Sequence, residues 1–267
     1  MNFTAFSLGF IDVYWYGISV SLAIVCALVI AVLAARFCGE SCLPIVDMTL
    51  WGIPSALIGA RLVYVLMFWH EFAAAPGRIF AVWEGGLSVY GAAAGFLISA
   101  VIYLRLLRLP IWHWLDILSP GMALILMLLQ LTNFIMQFSV GLPLPVDMPN
   151  DHSLAEYIEF HYCPSGFEDY LYFKPVALYQ ATAQFAIFLI VSLLLLLRKH
   201  WQKLYADGTL FLLMMLALSA VRFVFGFMYL SMDNDVWASW VQWLSLLGIG
   251  CVIIVYIGKR VMSANRK

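Results

Sequence analysis

Residues 209–231 read TLFLLMMLALSAVRFVFGFMYLS, an apolar run of span length that carries a single charge, Arg222. Crossing the hydrocarbon core of a bilayer takes about 20 such residues as a helix. An arginine inside the run costs about 2.5–3.5 kcal/mol even on lenient insertion scales, so it calls for a partner or a ligand. Six further windows of the same kind flank this one, at 14–35, 46–68, 86–107, 112–138, 175–198 and 236–258. The second of them holds another arginine, Arg61. The fourth holds Pro120, which predicts a kink or an interfacial first turn. The expected fold is an all-α integral membrane protein: seven transmembrane helices in a single domain over 1–267, with one external cap loop at 139–174.

Composition agrees with that class. Hydrophobic residues make up 64% of the chain and charged ones 11%, with a mean hydropathy of +0.95, too little polar surface to clothe a soluble globule. The net charge of −1 says nothing about a nucleic-acid partner and no basic tract suggests one, so none is expected. The opening MNFTAFSLGF lacks the basic n-region of a signal peptide, so the first span is expected to be retained. Five cysteines imply no disulfide framework: Cys26 and Cys251 fall in spans, and Cys38 and Cys42 flank a short loop.

Lysines and arginines in the short loops set the orientation. One set of alternate loops holds Arg36, Arg105, Arg108, Arg198, Lys199, Lys203, Lys259, Arg260, Arg266 and Lys267; the opposite set holds only Arg78 and Lys174. Ten against two predicts an N-terminus outside and a C-terminus in the cytoplasm. The cap loop is then external. Its acids (Asp147, Asp151, Glu156, Glu159, Glu168, Asp169) are offset by aromatics such as Tyr157, Phe160 and Tyr170, which argue for a packed cap rather than a tether.

With that orientation the polar residues of all seven spans gather in the outer half. Arg61, Gln130, Asn133, Gln137 and Arg222 lie past the midpoints of outward-running spans; Tyr16, Ser88, Tyr90, Tyr179, Gln180, Gln184 and Gln242 lie near the starts of inward-running ones. Gln130, Asn133 and Gln137 share one helix face by their i, i+3, i+7 spacing. Amide stripes also serve simply to glue membrane helices together, at about 0.6 kcal/mol per hydrogen bond. Two guanidiniums with one nearby carboxylate, Glu84, are a different matter. They suit an anion such as a lipid phosphate. Gly91 and Gly95 form a small-xxx-small motif for close helix packing. His152, His161 and Cys163 lack the fixed spacing of a metal site, and no metal is expected.

An ordered set of motifs then carries a resemblance. Tyr14-Trp15-Tyr16-Gly17 opens span one, Gly59-Ala60-Arg61-Leu62 lies in span two, and Trp83-Glu84-Gly85-Gly86-Leu87-Ser88 opens span three. Asn133-Phe134-Ile135, Pro175 with Leu178-Tyr179, Arg222-Phe223 and Gln242-Trp243-Leu244-Ser245 follow in order. Over essentially the whole chain this resembles bacterial prolipoprotein diacylglyceryl transferase. The resemblance implies an inner-membrane enzyme that moves the diacylglyceryl group of phosphatidylglycerol to a lipoprotein cysteine, releasing glycerol phosphate, with no metal or organic cofactor. It implies lipid-accessible cavities beneath a periplasmic cap.

Departures from the family pattern fall on ionisable positions. Tyr90 stands for a histidine, Gln130 for an arginine, Phe138 for a glutamate and Gln180 for a glutamate. After Arg222, a glutamate and an arginine become Gly226 and Tyr229. Scaffold residues persist while charges are lost, the signature of a divergent paralogue. A phosphate leaving group needs cations, and the acceptor thiol, with a free pKa near 8.5, needs a base. The reading is therefore a non-standard transferase acting on an anionic, phosphatidylglycerol-like phospholipid. Arg61, Arg222 and Tyr90 are its candidate catalytic residues, Tyr90 as proton acceptor. Arg61, Gln130, Asn133, Arg222, Tyr16, Tyr179 and Gln242 are its candidate lipid ligands. The alternative is a catalytically inactive paralogue, a pseudoenzyme that holds a lipid or a lipoprotein for another membrane complex.

Overall fold

A computed structural model of the chain describes residues 4–7, 12–73, 75–144, 155–158, 167, 170, 172–200, 206–230 and 236–264. It is nearly all helical. The helices are α1 (Trp15–Cys38), α2 (Leu43–Met67), the short α3 (Trp69–Ala73), α4 (Val89–Leu106), α5 (Ile111–Ile135), α6 (Val176–His200), α7 (Thr209–Gly226) and α8 (Val236–Ala264). All except α3 contain a stretch long and apolar enough to cross a membrane, seven in number as the windows predict. Short strand pairs, which the periodicity did not announce, join β1 (Thr4–Ser7) to β2 (Asp12–Tyr14) and β3 (Glu156–Tyr157) to β4 (Tyr172–Phe173), both antiparallel.

Several helix ends differ from the apolar windows for local reasons. Helix α4 starts at Val89 because Gly85 and Gly86 take positive φ and Ser88 caps the first turn, its hydroxyl accepting from Gly91 N at 3.4 Å. Helix α5 stops at Ile135, where Gln137 turns left-handed and Phe138 N returns to Asn133 O at 3.0 Å. Helix α7 stops at Gly226 rather than 231, since Met228–Leu230 leave the helix to pair with Val140–Leu142. Pro120 sits within α5, which runs unbroken past it, and Pro54 sits within α2.

The chain divides into two compact units, Ala31–Ile117 and the two segments Met1–Ile30 and Leu118–Lys267. In the first, α2 packs on α4 almost backbone to backbone. A Cβ on Gly91 would lie 2.3 Å from Gly59 O, and one on Gly95 would lie 2.3 Å from Ser55 O. The small-residue motif of α4 thus meets a second small stripe on α2, and any larger side chain would force the helices apart. Further along the same interface Gly52 takes the ring of Phe96. Tyr103 on α4 donates to the Asp47 carboxylate on α2 at 2.6 Å, satisfying an acid inside a span that the sequence reading passed over.

In the second unit α7 packs against both α6 and α8. Its cap is a ladder of short extended pieces. Residues 228–230 bond to 140–142, residues 142–144 bond to 172–174, and β4 bonds to β3. Val140, Ile158 and Phe173 form a buried cluster there, covered by Phe167, Tyr170 and Leu230.

Candidate functional site

The polar site of the second unit is built from four places in the chain. Two helical turns of α5 present Gln130 and Asn133 on one face, and the Asn133 amide donates to Gln130 Oε1 at 2.8 Å. Helix α6 begins at Val176, just after Pro175, and its first turns bring in Gln180, only 2% exposed. Arg222 comes from the last turns of α7, and Tyr229 from the extended piece beyond it.

These side chains form one directed network. Gln130 Nε2 donates to the Tyr229 hydroxyl at 3.1 Å, and that hydroxyl donates to Gln180 Oε1 at 2.9 Å. Arg222 Nη1 donates to the same Gln180 oxygen at 3.0 Å, while its guanidinium carbon lies 5.2 Å from the Tyr229 ring centre. A carbonyl oxygen and an aromatic face are thus two of the groups that position this half-buried cation. Hydrogen bonds to a charged group contribute about 1.5–3 kcal/mol, so Gln180 fixes the guanidinium without neutralising it. Next to Gln180 by one helical turn is Gln184, 5% exposed, whose Oε1 has no hydrogen-bond partner among the described residues.

Of the candidate ligands, then, Gln130, Asn133 and Arg222 share one hydrogen-bonded cluster. Tyr179 lies beside Gln180 in the first turn of α6. Tyr16 meets Phe138 edge to face, with ring centres 5.4 Å apart. Gln242 packs on Gly226, where an added Cβ would lie 3.6 Å from Gln242 Cγ. Gln180 and Tyr229 complete the cluster but were not among the candidates. Their signal was present as two departures from the family pattern, and only the fold reveals that the departures touch.

Arg61 and Tyr90 belong to the other unit. Arg61, 6% exposed, spends its guanidinium on main-chain carbonyls: Nε on Ile79 at 3.0 Å, Nη1 on Gly85 at 2.6 Å and Gly86 at 3.2 Å, and Nη2 on Arg78 at 2.6 Å. It also lies over the rings of Phe72 and Tyr64. Two short 3-10 turns, Pro76–Phe80 and Val82–Glu84, are wrapped around this one side chain. Gly86 is required there, because a Cβ would stand 2.9 Å from Arg61 Nη1 and 2.5 Å from the Tyr64 ring. Tyr90 sits in the first turn of α4 and is 37% exposed. The side chain of Glu84 lies outside the described residues, as do His152, His161 and Cys163. Among the described residues no cluster of three His, Cys, Asp or Glu side chains is arranged to hold a metal.

Comparison with known proteins identifies the frame that carries this site. The sequence profile of the prolipoprotein diacylglyceryl transferase family matches residues 3–258. The phosphatidylglycerol–prolipoprotein diacylglyceryl transferase of Lactobacillus johnsonii is 31% identical over 225 residues, 84% of this chain and 77% of that protein. Its counterpart in Lactobacillus acidophilus is 30% identical over 224 residues, again 84% and 77%. The Lactobacillus delbrueckii enzyme is 29% identical over 273 residues, covering 98% of this chain and 92% of its own length. A match over nearly the whole chain, together with seven membrane-length helices, means that this multi-pass membrane protein belongs to the prolipoprotein diacylglyceryl transferase family.

Proposed function

We propose that this chain is a bacterial inner-membrane lipid transferase of non-standard chemistry, whose donor is an anionic, phosphatidylglycerol-like phospholipid. The observation that carries the reading is Arg222, a cation inside a span whose guanidinium meets Gln180 and the Tyr229 ring in the cluster that also holds Gln130 and Asn133. Such a cation is suited to a phosphate and to the negative charge that grows on it as the ester bond breaks. Gln130 and Asn133 would orient the head group, with Tyr16, Tyr179 and Gln242 around it. Arg61 would contribute from its carbonyl cage, holding the 76–86 segment in shape. Tyr90, standing where the family pattern places a histidine, is the candidate proton acceptor that the motifs alone would suggest. The acceptor is a lipoprotein thiol, by analogy with the substrates named for the relatives. The excess of ten loop cations over two supports a periplasmic N-terminus and a cytoplasmic C-terminus.

One observation favours the second reading, a pseudoenzyme that holds lipid or lipoprotein for another membrane complex. Gln130, Gln180 and Tyr229, three of the positions that depart from the family pattern, hydrogen-bond to one another. Three uncharged side chains that bond within the site would preserve its shape with fewer charges than the family pattern carries.

Native mass spectrometry of the protein released from phosphatidylglycerol-containing membranes tests the first reading. Wild type should retain anionic lipid and Arg222→Ala should lose it. Retention by both would exclude Arg222 as the phosphate ligand. Thioether formation on a synthetic lipobox peptide, present in wild type and absent in Arg222→Ala, separates the transferase from the holding protein.

A further inference from the structure

Within the cap ladder one acidic side chain is placed as no stabilising acid would be. Glu156 is 5% exposed, and neither carboxyl oxygen has a hydrogen-bond partner among the described residues. The register fixes which way it faces. Glu156 stands opposite Phe173, Phe173 opposite Pro143, and Gly141, two residues before Pro143, opposite Tyr229. Residues directly opposite in antiparallel pairs share a face, as do residues two apart, so Glu156 and Tyr229 lie on the same side of the ladder. Tyr157 and Tyr172 confirm the alternation, meeting on the other side with ring centres 5.8 Å apart.

Tyr229 is the residue that joins this ladder to Gln130, Gln180 and Arg222; burial is the main cause that raises its phenol, and the charge of Glu156 is the smallest contribution in the same direction. The 140–144 piece brings no ionisable group, Tyr157 and Tyr172 face away, and Lys174 continues β4 on the side opposite Phe173. Among the described residues, the charged and titratable side chains on this side of the ladder are thus Glu156 and Tyr229, with Arg222 against the latter's ring.

We propose that Glu156, carried by the cap on the same side of the ladder as Tyr229, is the proton acceptor of the transfer reaction and hence a catalytic residue that the family motifs do not mark. The inference rests on the transferase reading above. In the step it serves, the thiol sulfur of the acceptor forms a bond to the glyceryl carbon of the donor lipid. The bond from that carbon to the phosphate oxygen breaks and its electron pair leaves with glycerol phosphate. The thiol proton goes to the Glu156 carboxylate and is then released to the phosphate product or to water. Burial pushes the Glu156 carboxyl up to about 7, where a carboxylate is a far better match to a thiol than in water. Tyr90, by contrast, is 37% exposed in the first turn of α4 and belongs to the other compact unit.

The test uses full-length protein in nanodiscs containing phosphatidylglycerol, with a synthetic lipobox peptide bearing one cysteine as acceptor. Thioether formation is followed by mass spectrometry across neutral pH, and bound lipid by native mass spectrometry. Wild type should gain rate as pH rises through about 7. Glu156→Gln should lose about a hundredfold and the pH-dependent limb while keeping its lipid, and Glu156→Asp should restore part of both. A Glu156→Gln variant with the wild-type rate and profile would overturn the proposal and leave the transferase reading standing. Wild type that holds lipid but transfers nothing would overturn both. Should Glu156→Gln lose its lipid through misfolding, Glu156→Asp decides: a wild-type rate with a flat pH profile would reject the assignment.

Discussion

Arg222 and Tyr229 converge on a single oxygen, Gln180 Oε1, at 3.0 and 2.9 Å, so one amide on α6 aligns both the cation of α7 and the phenol of the cap. Replacing that amide by a carboxylate would leave the shape alone and neutralise the cation. Gln180→Glu should therefore weaken retention of phosphatidylglycerol about tenfold or more, since a charge-assisted pair contributes about 1.5–3 kcal/mol against the lipid phosphate. Lipid occupancy by native mass spectrometry checks this, and unchanged occupancy would mean the phosphate sits elsewhere.

The α2–α4 contact makes a prediction about stability alone. A Cβ at Gly91 would lie 2.3 Å from Gly59 O, a main-chain atom that cannot rotate aside. Gly91→Leu should destabilise the protein by about 1–3 kcal/mol, as overpacking does. Gly77, where nothing lies within 4 Å, should accept alanine with little change. Thermal unfolding in detergent compares the two, and an equal melting point for Gly91→Leu would show that these helices are not pressed together in the membrane.

How much of this was legible in the chain depends on where each interaction sends its signal. The seven long helices were visible because length and apolarity are local properties. The early end of α7 was not, because residues 228–230 leave the helix for hydrogen bonds to residues 140–142, far away in sequence. Arg61 announced a buried cation, but its partners are the carbonyls of 78, 79, 85 and 86, which every residue possesses and no pattern marks. Gln130 and Gln180 read as separate amide stripes, and Tyr229 as a lost arginine. Only the fold brings them within hydrogen-bond reach.

The proposal of non-standard chemistry also bears on the cell. With Tyr90, Gln130, Phe138 and Gly226 at positions where the family pattern is ionisable, this chain should not replace a family member that retains the full charged set. Depleting such an enzyme in a bacterium while expressing this chain should stop growth and thioether modification of lipoproteins. Robust growth with modified lipoproteins would refute the expectation.

Glu156 links pH to the stability of the cap. Its carboxyl titrates near 7 when folded against an ordinary 4.5, because burial penalises the charged form. Between those values the folded state holds more protons than the unfolded one, so stability falls as pH rises through the window and levels off above about 7. Hydrogen exchange of the 156–158 and 172–174 amides should show protection declining over that range in wild type and staying flat in Glu156→Gln. A slope of the opposite sign would mean that a cation pairs with the carboxylate.

The cap itself should behave as a structured cover rather than as a tether. Its acidic residues and its length favour solvation, but its described pieces are tied at both ends to the polar site. Tyr229 anchors one edge through Gln130 and Gln180, and Gln137 at the end of α5 donates to Tyr157 O at 2.9 Å beside Glu156. Phe173 and Ile158 are buried in a cluster that would dissolve if the ladder opened. Lifting it would expose those side chains and leave the Tyr229 hydroxyl and Gln180 without their shared bond, a cost that apolar burial alone sets at about 1.5–3 kcal/mol per side chain. Limited proteolysis of right-side-out vesicles should therefore spare the 140–144, 156–158 and 172–174 pieces at protease levels that cut an open loop within minutes. Gln137→Ala and Tyr229→Phe should each speed cleavage by removing one tie. Rapid cutting at all three pieces in wild type, with bound lipid undiminished, would show that the cap neither packs on the site nor serves it.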